Sequence, residues 1–379
     1  MQKIRWAVIG VGSMGLKYVK YLLSGDVENS QLTAVVARND AKSDEIRELA
    51  SAAGGQDVVI FKSADELFAH ADTFDAVLIA TPHKSHHELA KIAFARKKHV
   101  LCEKPLAVSL KESKEMAEEA KEAGVLLGVC YQQRLFPSHK YIVDAVKGGK
   151  LGRIKRAELV TSRYYRTQHY HHSAGWHSTW TGEGGGALIN QGQHILDFWI
   201  SVFGLPESVY ADIPFGKYND FRVDDEATLL MRYPDKFTGV FVITTGEAAN
   251  EDRFTIVGSK GRLCLEDGVL REYSFTPDSD EYQKTSEKNS REELLVSEVE
   301  LDLPKDPGPE VYLGVLENFG KAVLNGSELM CDGTEGTKAV HLSSAAYMSA
   351  WEGKRVELPI NEEMFDDLMA EQIEAEAGS

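Results

Sequence analysis

The chain has 379 residues, 43% of them hydrophobic and 27% charged, a balance that excludes a disordered or membrane-embedded protein and is too long for one ordinary core, so two domains are expected. Its 42 basic and 59 acidic side chains leave a net charge of −17, which argues against nucleic acid or an anionic membrane as a partner. No apolar stretch reaches membrane-spanning length, Met1-Gln2-Lys3 leads straight into a strand pattern so no signal peptide is expected, and Cys102, Cys130, Cys264 and Cys331 lack paired spacing, as buried thiols in a cytoplasmic protein would.

Lys3–Ile9 is a short apolar run of the kind that makes a buried parallel strand. Gly10-Val11-Gly12-Ser13-Met14-Gly15 follows at once, and Leu16–Leu23 reads as a helix. A GxGxxG between strand and helix points to a dinucleotide site. Gly10 makes the tight turn, Gly12 lets the backbone approach a pyrophosphate, and Gly15 allows close helix–strand packing. The free amides at the helix start then hold the phosphates. Leu32–Val36 is the next strand. Where an NAD site carries an acidic residue for the ribose hydroxyl, 22 residues after Gly15, this chain has Ala37, then Arg38-Asn39. A neutral residue followed by a guanidinium suits a 2′-phosphate, so NADP is the expected cofactor, with Asp40 keeping NAD as the alternative.

Further along, Lys42–Ala53 is a predicted helix, and Ser63-Ala64-Asp65-Glu66 a capping box opening another. Phe74–Ala80 and His99–Cys102 read as strands, His87–Arg96 as a helix between them. Ser109-Leu110-Lys111-Glu112 caps a helix to Ala123, and Val125–Tyr131 closes a series that predicts a parallel, doubly wound sheet. After Gly148-Gly149 the pattern changes. Ile154–Ser162, Ala227–Arg232, Thr238–Thr245, Arg253–Val257 and Arg262–Glu266 read as strands of an antiparallel sheet with helix Asn190–Phe203 on one face. Residues 276–292 read as a polar loop, Val311–Leu324 and Thr334–Trp351 as helices, and Arg355–Leu358 as a last strand. The acidic tail from Asn361 reads as a surface helix or a partner-binding arm. The expected division is 1–130, 131–360 and a tail, 361–379.

In a doubly wound sheet, ligands lie at the carboxyl ends of the strands. Thr81-Pro82-His83 follows one such end and Glu103-Lys104-Pro105 another. Lys104, held before a proline, can polarise a substrate oxygen or stabilise developing charge. Farther on, Gly184-Gly185-Gly186 opens the predicted helix, on which Asn190, His194 and Asp197 are spaced i, i+4, i+7 on one face. His194 can exchange a proton with a hydroxyl near neutral pH. Arg163-Tyr164-Tyr165-Arg166 and the His- and Trp-rich segment to Trp180 come just before. Aromatic faces with scattered polar groups suit a sugar. Arg163 and Arg166 leave open a carboxylated or phosphorylated one. The alternatives for this segment are a core or oligomer contact and a metal held by His169, His171, His172 and His177. The second is disfavoured because no acidic or Cys ligand sits in the run.

GVGSMG, TPHKSH, HVLCEKP and GGGALINQGQHILDF, in that order, resemble the glucose–fructose oxidoreductase / inositol dehydrogenase (Gfo/Idh/MocA) family. The similarity runs on through Gly258–Gly261 and Cys331-Asp332-Gly333 to Ser349–Lys354, nearly the whole chain. The resemblance implies an N-terminal Rossmann domain with a doubly wound parallel sheet, and a C-terminal α/β domain with an open, mostly antiparallel sheet. It implies a sugar or polyol substrate, and a homodimer or homotetramer. Lys104 matches the family's active-site lysine and His194 its helical histidine, while the frequent catalytic aspartate falls on Asn190. An amide cannot carry charge, so Asn190 would only orient, and the Lys104 pKa is expected to be lowered. The cofactor set is then Gly10, Gly12, Met14 and Gly15 at the pyrophosphate, Arg38 and Asn39 at the adenosine end, and Thr81, Pro82, His83, His86, Glu103 and Lys104 near the nicotinamide. Arg163, Tyr165, Trp176, His177, Asn190 and His194 form the substrate set, with no metal. The reading is an NAD(P)-dependent dehydrogenase or reductase. Its alternatives are a cofactor-retaining glycosidase or lyase that oxidises a sugar transiently, and a non-catalytic cofactor-binding protein.

Overall fold

The computed structural model of the protein describes residues 2–304 and 308–378. The chain forms two units. The first comprises residues to Gln133, Gly182–Gly184 and Gly308–Val340, and the second the rest.

In the first unit, strands β1 (Ile4–Ile9), β2 (Ser30–Val36), β3 (Val59–Phe61), β4 (Ala76–Ile79), β5 (His99–Cys102) and β6 (Leu127–Val129) alternate with helices. These are α1 (Ser13–Ser24), α2 (Asp40–Ala52), α3 (Ala64–Ala69), α4 (His86–Ala95) and α5 (Leu110–Ala123). All pairings are parallel and the order is β3-β2-β1-β4-β5-β6. The apolar runs explain this: β4 is buried at every residue, as a sheet covered on both faces requires. Trp6 anchors the core, fully buried, its indole N–H donating to Ser30 Oγ at 3.0 Å. Both predicted caps form, with Ser63 Oγ accepting from the Glu66 N–H and Ser109 Oγ from that of Glu112. The Glu66 carboxylate reaches back to the amide of Lys62, one residue short of the capping-box partner.

The second unit has helices α6 (Pro137–Lys147), α7 (Gln168–His172), α8 (Gly192–Phe203) and α9 (Ser279–Thr285). Its strands are β7 (Ile154–Thr161), β8 (Ser208–Asp212), β9 (Glu226–Arg232), β10 (Thr238–Thr244), β11 (Asp252–Gly258), β12 (Gly261–Glu266), β13 (Val269–Thr276), β14 (Leu295–Leu301) and β15 (Val356–Glu357). They make one nine-stranded sheet in the order β14-β13-β12-β11-β7-β10-β9-β8-β15. Only the β7–β10 pairing is parallel, so the sheet is mixed rather than antiparallel throughout. Helix α8 covers one face through Trp199, which is fully buried against Phe203, Phe241 and Phe254 and donates to the Tyr233 hydroxyl at 2.7 Å. A Cβ at Gly239 would lie 2.5 Å from this indole, so the strand carries glycine where the ring crosses it.

Three helices complete the chain: α10 (Glu310–Asn325), α11 (Gly333–Glu352) and α12 (Glu362–Ala377). The last is the acidic tail, and it packs on its own chain. Phe365 and Met369 are buried, and Glu376 accepts from the amides of Trp180 and Thr181 at 2.8 and 3.0 Å. Residues 276–292, expected as loop, contain α9. The strands β3, β8, β13 and β14 were not expected. Every residue of β14 but the last is exposed, so no buried face marks it in the sequence. Its pairing with β13 defines it.

Candidate active site

The carboxyl ends of β1 and β4 adjoin where the strand order reverses, the place at which open α/β sheets bind ligands. Gly10 leaves β1 with φ +94°, and a Cβ there would lie 2.5 Å from the Ala80 carbonyl oxygen. At Gly15 a Cβ would lie 1.7 Å from the Gly10 carbonyl oxygen. At Gly12 a Cβ would meet nothing within 4 Å. Two glycines are therefore demanded by the protein itself, and the middle one opens onto space. Gly12 is also the N-cap of α1, without a side-chain cap or an acidic residue in the first turn, so the first amides face outward as a phosphate requires. The pyrophosphate of a dinucleotide fits this cradle, with Met14 half-buried in the same turn.

Strand β2 ends at Val36, so Ala37 stands at the ribose-contacting position. Asn39 caps α2 by accepting from the Lys42 N–H, and Asp40 begins that helix paired with Lys62 at 2.7 Å. The exposed Arg38 makes no ion pair or hydrogen bond among the described residues.

The loops after β4 and β5 are tied together. Glu103 N–H donates to the Ile79 carbonyl at 2.9 Å. His86 is 0% exposed, with Nδ1 2.9 Å from the Pro105 carbonyl and Nε2 2.9 Å from that of Thr81. Neither ring nitrogen is left for a dinucleotide, and burial lowers the imidazole pKa. His86 thus joins the two loops that carry Thr81 and Lys104. Thr81 Oγ1 accepts from Ser85, and Pro82 is half-buried. His83 is buried with Nδ1 3.0 Å from the Glu183 carbonyl. Burial raises the Glu103 carboxyl pKa, while Lys104 and Tyr18 pull it back, and its Oε2 accepts from the Lys104 amide at 3.1 Å. Lys104 is half-buried and followed by a cis peptide to Pro105.

In the second unit, α8 begins at Gly192, so Asn190 lies in the preceding turn rather than on the helix face expected of it. His194 and Asp197 are on the helix. Asp197 is committed elsewhere, since Arg134 grips it through Nε at 2.8 Å and Nη2 at 2.6 Å, both side chains largely buried. A residue missed in the sequence holds the turn. Asp224, buried just before β9, accepts at Oδ1 from the Gly186 N–H (2.8 Å) and the Tyr347 hydroxyl (2.7 Å), and at Oδ2 from the Leu188 N–H (2.6 Å). A Cβ at Gly186 would lie 1.8 Å from the Asp224 carbonyl oxygen, and one at Gly185 2.3 Å from the Tyr347 hydroxyl. Burial outweighs these three donors and pushes the Asp224 pKa up to about 6. In sequence, Val223-Asp224-Asp225-Glu226 is merely an acidic turn before a strand, with no local sign of burial.

The aromatic segment lies in this unit too. Trp176 packs on His177 with ring centroids 4.0 Å apart, His177 stacks on Tyr170 at 5.0 Å, and the Tyr170 hydroxyl accepts from Gln191 Nε2 at 3.4 Å. This brings the segment to the amino end of α8. Tyr165 is exposed, and Arg163 is paired with Asp252 at 3.0 Å. Among the described residues no three His, Cys, Asp or Glu side chains are grouped to hold a metal.

A six-stranded sheet in this order, with a glycine cradle at its switch point, defines a dinucleotide-binding Rossmann fold. Residues 4–131 match the model of the oxidoreductase family with an NAD-binding Rossmann fold, and 139–264 match the GFO/IDH/MocA C-terminal domain. The scyllo-inositol 2-dehydrogenase (NADP(+)) IolU of Bacillus subtilis is 30% identical over 267 residues, 69% of this chain and 76% of that protein. The myo-inositol 2-dehydrogenase of Thermotoga maritima is 27% identical over 371 residues, 94% and 98% of the two chains. The WlbA dehydrogenase from Bordetella pertussis, solved with NADH and UDP-GlcNAcA, superposes with a TM-score of 0.76 at 25% identity, covering 95% and 100%. The chain belongs to the Gfo/Idh/MocA family and is an NAD(P)-dependent oxidoreductase.

Proposed function

We propose that the protein moves a hydride to or from a hydroxyl- or keto-bearing carbon of a sugar or polyol, with NADP preferred. The open cradle at Gly12, flanked by two glycines that the fold itself requires, carries the cofactor half of this reading. The inositol dehydrogenases among the relatives, and the sugar-nucleotide ligand of WlbA, support the substrate half. Ala37 just after β2, followed by Arg38, which is unpaired among the described residues, supports the 2′-phosphate.

When bound, the nicotinamide supplies a hydride acceptor or donor at its C4. Oxidation of an alcohol separates its hydrogens: the carbon gives up a hydride and the oxygen a proton. His194 takes that proton as the leading base, Lys104 Nζ polarises the oxygen, and the Asn190 amide holds it in register. Gly10, Gly12, Met14 and Gly15 cradle the pyrophosphate, with Arg38 and Asn39 at the adenosine end. The loops bearing Thr81 to His83 and Glu103-Lys104 shape the nicotinamide side. Tyr165, Trp176 and His177 face the substrate. The reading includes a cytoplasmic homo-oligomer, which four free cysteines suit.

Reduced-nicotinamide absorbance tests it, with NADP⁺ or NAD⁺ and a panel of sugars, inositols and sugar acids, and with the reduced cofactors and ketoses. Turnover with one class is expected, faster with NADP⁺. Lys104→Met and His194→Gln should each lower kcat roughly 10²- to 10⁴-fold. No turnover in either direction would overturn the reading.

A further inference from the structure

We infer that the substrate carries an anionic substituent, a carboxylate or a phosphate, received by Arg166. This rests on the oxidoreductase reading above and narrows it. Two arginines follow β7, and the structure separates them. Arg163 has its charge met by Asp252, whose half-buried carboxyl it pulls back toward ionisation. Arg166 makes no ion pair among the described residues. Its Nη1 reaches only the Tyr165 carbonyl at 3.5 Å, and its buried Nε finds no hydrogen-bond partner.

The guanidinium is nonetheless held in place. It lies 4.4 Å from the centroid of the Tyr170 ring and 5.9 Å from that of Tyr164, and the Arg166 N–H donates to the Thr245 carbonyl at 2.8 Å. A guanidinium against an aromatic face keeps its edge, the hydrogen-bonding fork, for a ligand. The location is the substrate end of this unit. Tyr170 is bonded through its hydroxyl to Gln191, the residue after Asn190 and three before His194. The neighbouring groups leave the positive charge standing. Burial, with a contribution from Arg166, pushes His171 down to about 4, so that imidazole is neutral at working pH. Asp225, the carboxylate that acts on His171, is engaged by the amides of Lys217, Tyr218 and Asn219.

In a chain with 59 acidic side chains, an oriented arginine without a carboxylate is a receptor for one that arrives with the ligand. Rings of Tyr170, His177 and Trp176 beside it suit the CH faces of the sugar that bears the anion.

The test compares kcat/KM for matched pairs, a neutral pyranose or inositol against the corresponding uronic acid and sugar phosphate, in wild type, Arg166→Gln and Arg166→Lys. The anionic member should be favoured. Arg166→Gln should cut its kcat/KM about 10- to 100-fold, mostly through KM, and by at least about tenfold more than for the neutral partner. Arg166→Lys should recover part of the loss, and which anion responds identifies the source. A preference for the neutral member, or equal losses on both, overturns the inference. If no pair turns over, the oxidoreductase reading fails separately. Calorimetric titration with glucuronate and glucose 6-phosphate then decides: anion binding lost in Arg166→Gln upholds the inference, and no binding to wild type overturns it.

Discussion

At the scale of single residues, the second unit has an amide at Asn190 and a buried carboxyl, Asp224, that the sequence did not mark. Asn190, which we propose stands where the family frequently carries an aspartate, is an amide and offers no proton. Restoring it by Asn190→Asp supplies a second titrating group beside His194. The pH profile of kcat should gain or shift an acid limb, as stopped-flow or steady-state rates from pH 5 to 9 would show, and an unchanged profile would speak against the assigned proton route. Asp224 gives a stability prediction. Its pKa rises from 3.8 unfolded to about 6 folded, so its contribution to stability is complete below about pH 4 and lost as pH rises through about 6. Asp224→Asn should remove that component from the urea-melt stability measured across this range. It should also cost about 1–3 kcal/mol at neutral pH, because one buried donor among Gly186, Leu188 and Tyr347 loses its acceptor.

At the scale of elements, the β1–α1 turn divides fold from function among three glycines. Gly15→Ala places a methyl inside the Gly10 carbonyl, and Gly10→Ala adds a left-handed φ to a clash with Ala80. Both should lower Tm by many degrees or prevent folding. Gly12→Ala meets no protein atom within 4 Å, so Tm of the apo chain should hardly move. Its cofactor Kd, read by fluorescence titration, should rise roughly tenfold or more, because the methyl stands where the pyrophosphate comes closest. Most elements were legible because their apolar period or their caps are local. β5 and α5 match their predicted spans, and Ser63 and Ser109 cap as their spacing requires. What was not legible has no local signature. β14 has no buried face, and α9 is a polar turn of helix in a polar segment. Asn190 falls before α8 because the chain there follows the Gly184–Gly186 run, whose path Asp224 holds.

At the scale of the whole molecule, cofactor binding should report on folding. A ligand that binds the native chain alone adds RT ln(1 + [L]/Kd), about 2.7 kcal/mol at a hundredfold excess over Kd. Calorimetric melts at equal concentrations should therefore show a larger rise in Tm with NADP⁺ than with NAD⁺. Equal shifts would remove the case for Arg38, and Arg38→Ala should bring the two cofactors together. The sequence by itself determined the parallel, doubly wound class of the first sheet, the glycine cradle, the family, and the candidates Lys104 and His194, because these depend on periodicity and on motifs contiguous in the chain, whereas the strand order and the short β3 came from the structure. Only the tertiary structure decided which charges are already answered. Asp197 is taken by Arg134, Arg163 by Asp252, and both nitrogens of His86 by carbonyls, whereas Arg166 is held on an aromatic ring with no carboxylate partner among the described residues. The partners in these contacts lie between 4 and 89 residues apart, and hydrogen bonds and ion pairs depend on distance in space, which no local pattern of residues encodes.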